Sequence, residues 1–472
     1  MREPVEQKVS RSLLQRAAWL AWSGGVNLAN SVLLWMVMAR WREAAEVGRF
    51  TVVISIYLTF VALCSLGLGP YLVSEITRRR EQQTHLSFIA SAAAFLGFAS
   101  LGFAVLMCAT GWVVNDSREA QLTTALMSLA LLPTGLIVTA EAVFLAKGKT
   151  RVIALANTLE NIFRTLVPLL LVMGNFRLAL IGLSFVGARV LACLVYAFAA
   201  RGRWSHLLTA QRKEIVALSR VMPTFAGITV FSSLHWQIAA ILLGRLSSEV
   251  AAAQYGVASR FLVPVAVLLA SYTSVLQPEA TRRAAISRAA LGDFLSRSLR
   301  LVTMLALPFV AGIWLLAREA LTWLFGAKYG EAAIVLGILS TSALPLSLVM
   351  IVARGLVATG HQRVDLLANV AGVLTCSLFC WALIPQFGAR GAATAQLISM
   401  LVLIGIEITY AARHLFKLEL GKTLWRCGAP LLVMSLVIWQ ARAWGLWSAI
   451  LLGAGIYFAS LWLLHRRPAI AV

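Results

Sequence analysis

Glu160 and Arg164 stand four residues apart inside the apolar run "ANTLENIFRTLVPLLLV" at 156–172, one helical turn from each other and on the same face. Arg189 in "GLSFVGARVLACLVY" and Arg260 in "QYGVASRFLVPV" are set in apolar sequence in the same way. An ionisable group in hydrocarbon costs several kcal/mol, so each of these is either paired internally or kept for a task. For arginine that task is recognition of an anion, because the planar guanidinium grips phosphate oxygens two at a time. Glu160 with Arg164 reads equally well as an internal ion pair. Glu141 and Glu407, near the ends of apolar runs, and Glu160 are candidates for carrying a proton or a sodium ion; the plainer reading of the first two is a carboxylate hydrogen-bonded at a helix end. In "SSLHWQIAAILLG", His235 titrates near neutral pH, unless it is a packed core histidine, and Gln237 lies two residues on. Asn27 and Asn30, with Ser23, form a polar stripe suited to sugar hydroxyls or to helix packing. Arg354 and Arg318 sit near the ends of apolar runs and are expected to reach the interface.

Covalent chemistry finds no comparable support. The chain has three aspartates (Asp116, Asp293, Asp365), none close in sequence to a second carboxylate, and six scattered cysteines that suit packing. "GKT" at 148–150 is no phosphate loop, since Val143 stands where that motif needs glycine. No metal-ligand spacing and no cofactor motif appears.

What positions these residues is a membrane. The 472 residues are 60% hydrophobic and 13% charged, with a mean hydropathy of +0.83. Soluble domains carry about 25% charged residues. The net charge of +22 is spread between apolar runs, which points to the anionic membrane surface and an anionic cargo instead of nucleic acid. Taking about 20 apolar residues per span gives an all-α polytopic protein with about fourteen transmembrane helices. The basic loops ("RRR" at 78–80, "KGKTR" at 147–151, 201–214, 282–288 and 413–426) fall on one side. About 27 basic residues lie on that side against about 9 on the other, so both termini are expected in the cytoplasm. The polar start of the chain reads as a mature end, with no cleavable signal.

Two stretches repeat. "GKTRVIALAN" at Gly148 and "GHQRVDLLAN" at Gly360 match at an offset of 360 − 148 = 212, and "SEITRR" at 74–79 is echoed by "PEATRR" at 278–283. Each echo has the same setting: the end of a span and a cytoplasmic loop. A duplicated six-span unit follows, in parallel copies. The expected domains are an N-lobe over 1–200, a cytoplasmic linker over 201–220, a C-lobe over 221–412 and two appended helices over 413–472. Glu160 and Arg164 align with Gly372 and Cys376, so that charge belongs to one copy only.

Several stretches resemble a known family. "EVGRFTVVISI" at 46–56 with "SLGLGPYLVSEITRRR" at 65–80, "QYGVASRFLVPV" at 254–265, "FGAKYGEAAIVLGILSTSALP" at 325–345 and "LIPQFGARGAATAQLIS" at 383–399 resemble the polysaccharide-type lipid-carrier flippases of the multidrug/oligosaccharidyl-lipid/polysaccharide exporter (MOP) superfamily. The resemblance implies two six-helix lobes in a V-shaped, MATE-like arrangement that open alternately. It also implies a polyprenyl-pyrophosphate-linked glycan as cargo, no enzymatic step and a place in the cytoplasmic (inner) membrane. The partners it implies are membrane lipid, a proton or sodium ion, and other polysaccharide-assembly proteins. His235 and Gln237 stand where relatives often carry an aspartate, which departs from the family pattern. A drug/cation antiporter of the same superfamily is the alternative, although it would favour an acidic cavity. A membrane polymerase, ligase or glycosyltransferase is more remote, because no loop is long enough for a catalytic domain.

Overall fold

In hydrocarbon every backbone N–H and C=O must be satisfied within its own segment, so long apolar runs fold as helices. The computed structural model describes residues 3–79, 85–200, 209–415 and 421–466. Arg80 of the first basic loop, residues 201–208 of the expected linker, 416–420 and Arg467 lie outside the described residues. The helices run in the order α1 (Glu3–Trp41), α2 (Ala44–Ser65), α3 (Gly69–Arg78), α4 (His85–Val114), α5 (Arg118–Ser128) and α6 (Thr134–Ala146). Then come α7 (Thr150–Met173), α8 (Leu178–Ala199), α9 (Arg212–Leu246), α10 (Glu249–Ser259), α11 (Leu262–Ile286) and α12 (Arg288–Phe325). The last are α13 (Ala333–Thr341), α14 (Ala343–Ala358), α15 (Gln362–Phe387), α16 (Ala389–His414), α17 (Gly421–Ala441) and α18 (Leu446–Arg466). The described residues contain no strand.

Twelve helical segments among the described residues are long and apolar enough to cross a membrane, which makes this a multi-pass membrane protein. The expected count was about fourteen. The two expected spans outside the twelve belong to α1 and α17, helices of 39 and 21 residues. In α1 the reason is composition: Ser23, Gly24, Gly25, Asn27 and Asn30 dilute the apolar run.

The chain divides into two units, Met1–Gln237 and Ile238–Val472, and α9 contributes to both. Within the second unit, α17 and α18 dock on α12. Tyr457 donates its hydroxyl to the Met304 carbonyl at 2.9 Å, and the Trp323 and Trp447 rings meet edge to face at 5.1 Å.

The sequence echoes have matching local geometry. Gly148 and Gly360 both take positive φ, 68° and 78°, as a residue closing a helix does. Gly148 N–H bonds Leu145 O and Lys149 N–H bonds Phe144 O; Gly360 N–H bonds Val357 O and His361 N–H bonds Leu356 O. In the second echo, Glu75 accepts from Arg78 and Arg79, and Glu279 is paired with Arg282 at 3.2 Å and Arg283 at 2.8 Å. Arg79 then lies over the Phe88 ring, and Arg283 over Phe294. A third recurrence was not apparent from the words alone. The span over 118–146 is interrupted at 129–131, just before Pro133, and the span over 327–358 is interrupted at Ser342, just before Pro345. Those two prolines also stand 345 − 133 = 212 residues apart.

Candidate functional site

In the first unit, α7 and α8 bring a carboxylate and two arginines together. Glu160 and Arg164 share a face of α7, as their spacing requires, with Arg164 Nη1 at 3.9 Å from the Glu160 carboxylate. Arg189, from α8, comes closer, at 3.4 Å, and its side chain is only 13% exposed. Arg189 Nε also donates to the Tyr57 hydroxyl on α2 at 3.3 Å. Arg164 Nη2 donates to Asn161 Oδ1 at 2.5 Å and to Asn27 Oδ1 on α1 at 2.8 Å. One carboxylate therefore sits between two guanidinium groups, and the polar stripe of α1 supplies part of the surround. Asn30, one turn along from Asn27, has its Nδ2 buried with no hydrogen-bond partner among the described residues.

Glu141 extends the cluster. The Tyr196 hydroxyl donates to its carboxylate at 3.2 Å, Asn157 hydrogen-bonds it, and Arg189 and Glu160 are within electrostatic reach. Glu141, Glu160, Arg164 and Arg189 balance in formal charge, which is how a cluster of this size is tolerated in a low dielectric. His235 is buried on α9 and Gln237 half-buried two residues on.

In the second unit, Arg260 occupies the break between α10 and α11. Pro264 has no N–H to donate to the Arg260 carbonyl, so the helix cannot continue there, and Val263 N–H takes that carbonyl instead. The Arg260 guanidinium is in the field of Tyr255. Glu407 is fully buried on α16, beside Asp365 of α15 and in the field of Arg354 of α14. Arg354 does not simply reach for the interface: its Nε is buried, with no hydrogen-bond partner among the described residues. Arg318, in contrast, is exposed.

Reading the sequence missed Tyr57 and Asn161, since neither type is diagnostic inside an apolar helix. It also missed Arg42, whose guanidinium is buried at the end of α1. Arg42 donates to Asn175 Oδ1 at 2.8 Å and to the Phe176 carbonyl at 2.5 Å, capping the end of α7. That role is structural.

A family model described as polysaccharide biosynthesis protein matches residues 13–284, more than half of the 472. The chain belongs to this family. Within the family's company, the succinoglycan biosynthesis transport protein ExoT of Rhizobium meliloti (strain 1021) is 25% identical over 359 residues, 75% of this chain and 68% of that protein. Among solved structures, the lipid II flippase MurJ in an inward closed conformation matches with a TM-score of 0.79 at 13% identity, over 96% of this chain and 99% of that one. An inward-facing multidrug resistance MATE family transporter of the MOP superfamily matches with a TM-score of 0.65 at 16% identity, over 82% and 93%. At these identities the structural likeness is one of fold, and the fold of this polysaccharide biosynthesis protein is that of the MOP superfamily. The relatives are named as transporters and flippases, not as enzymes.

Proposed function

We propose that this protein moves a lipid-linked oligosaccharide across the cytoplasmic membrane for the assembly of a surface or secreted polysaccharide, with both termini in the cytoplasm. The cargo is a glycan on polyprenyl pyrophosphate, and the movement is alternating access by two six-span lobes, residues 1–200 and 221–412. The observation that carries this reading is the pair of arginines, half-buried Arg164 and Arg189 with its side chain 13% exposed, held on one buried carboxylate in a polysaccharide-family membrane protein.

Cargo binding is an exchange of partners. A pyrophosphate entering hydrocarbon has lost its hydration and needs donors already in place. Two guanidinium groups supply them in a geometry that suits phosphate oxygens. Glu160 occupies those donors in the cargo-free protein, so neither the empty nor the loaded site leaves an arginine bare. Asn27 and Asn30 offer amide groups to sugar hydroxyls. Arg260, His235 and Gln237 are the corresponding cargo-facing candidates elsewhere on the chain. Glu141 and Glu160 are candidates for a coupling ion, a proton or sodium.

The test is complementation of a strain lacking the protein by Arg164→Ala and Arg260→Ala, with membrane levels checked by immunoblot. Loss of surface polymer at wild-type protein level is expected for each. Full export by both variants would remove the arginines from cargo handling.

A further inference from the structure

We infer that Asp365 and Glu407 share a single proton, balanced by Arg354, and so form a proton-binding site in the second unit. The two carboxyl groups come from helices whose sequence positions are 42 residues apart (407 − 365), yet they lie within hydrogen-bonding reach of each other. Glu407 is 0% exposed, and among the described residues no N–H or O–H of a neighbour donates to either of its oxygens. Two adjacent carboxylates cannot both stay ionised in such a place, and two acceptors facing each other make a hydrogen bond only if one carries a proton.

Counting charge gives the same answer. With both carboxyls ionised, Arg354 leaves the group at −1; with one proton it is neutral. Local geometry also says where the proton rests. Asp365 lies in the first turn of α15, where the helix N-terminus favours negative charge, and Asn369 Nδ2 donates to its Oδ1 at 2.7 Å. Glu407 has no such donor. The proton therefore rests on Glu407 and is shared towards Asp365, which is partly exposed and gives it a route out.

The other charged groups on the elements around the pair stand at helix ends: Glu249 opens α10, Arg363 precedes Asp365 by two residues on α15, and Arg390 with Arg413 and His414 mark the two ends of α16. Helix α16 packs on α10, α13, α14 and α15. Helix α13 carries no titratable residue, and Arg354 is the one on α14. On α10, Tyr255 faces Cys376 and Cys380 of α15, and Cys376 is eleven residues (376 − 365) beyond Asp365. On α16 itself, Tyr410 stacks on His414.

The internal repeat shows that the fold does not need these charges. At the 212-residue offset, Arg354, Asp365 and Glu407 correspond to Ala142, Ile153 and Val195. All three pack into apolar clusters of the first unit.

That loading and release of this proton drives the translocation proposed above rests on that reading; the site itself does not. The experiment is infrared difference spectroscopy on the purified full chain in lipid nanodiscs, reading the C=O stretch of protonated carboxyls at neutral pH. Wild type minus Glu407→Gln is expected to show one such band, with both proteins melting at the same temperature, because glutamine is close in shape to a protonated glutamate. In Asp365→Asn that band is expected to vanish, since Glu407 then has Arg354 to itself. Coincident wild-type and Glu407→Gln spectra, or a band that persists in Asp365→Asn, would overturn the inference. So would sodium raising the melting temperature of wild type but not of Glu407→Gln, which would make the site a metal-ion site. No cargo is needed, so failure here is distinct from failure of the transport reading. Given transport, the wild-type rate is expected to vary several-fold between mildly acidic and mildly alkaline pH, and the Glu407→Gln rate to stay flat.

Discussion

Replacing Arg189 with alanine is expected to abolish translocation and to destabilise the first unit by about 3 kcal/mol, the low end of the usual cost of stripping one partner from a buried ion pair. The cost arises at Glu160, whose side chain is 8% exposed and loses its nearer guanidinium. Arg164, at 3.9 Å, remains and holds the loss to that lower end. The Tyr57 hydroxyl loses its donor as well, adding about 1 kcal/mol. Stability and transport can then be pulled apart. Substituting leucine for both Arg189 and Glu160 removes the stranded charge, and apolar replacements of a buried pair are often neutral or stabilising. The double variant is therefore expected to recover most of the lost melting temperature and none of the export. Recovery of export alongside stability would reduce the cluster to a packing device.

The second large effect concerns Gly391, in the first turn of α16. A Cβ built there falls 2.4 Å from the Leu383 carbonyl oxygen and 2.6 Å from its carbon. Both are backbone atoms, so no side chain can swing aside, and the α15–α16 hairpin must open. Overpacking a tight contact costs about 1–3 kcal/mol, and valine adds two more methyl groups to the clash. Gly391→Val is expected to leave little folded protein in the membrane, and Gly391→Ala to lower the melting temperature clearly. Gly405→Ala, on the same α16, is the control. Nothing lies within 4 Å of its Cβ, and alanine favours a helix over glycine by up to about 1 kcal/mol. Equal behaviour of the two alanine variants would contradict the close approach at Gly391.

Much of this architecture was legible before any coordinates. Apolar runs of spanning length report helices directly, because the bilayer leaves the backbone no other choice. The repeated "GKTRVIALAN" and "GHQRVDLLAN" identified two turns that share their hydrogen-bond pattern, since glycine at positive φ closes a helix in only a few ways. Arg164 with Glu160 was legible from spacing. Arg189 joining them was not, because α7 and α8 meet through packing that no local spacing encodes. Arg354 illustrates the opposite error. Its place near a span end suggested an arginine reaching for headgroups, yet its Nε is buried and its charge acts on carboxyl groups of α15 and α16, and proximity to an end says nothing about which way a side chain turns. Asp365 looked isolated for the same reason. The polar and glycine residues of α1 lowered the count of spans, and two of those residues, Asn27 and Asn30, are among the cargo candidates.

Mass spectrometry of polyprenyl-linked oligosaccharides in a strain lacking this protein, beside the same strain complemented, tests the claim that the protein translocates a lipid-linked glycan. Accumulation of one defined lipid-linked repeat together with loss of surface polymer is the predicted result, and it would identify the cargo. An unchanged lipid pool with intact surface polymer would contradict the claim.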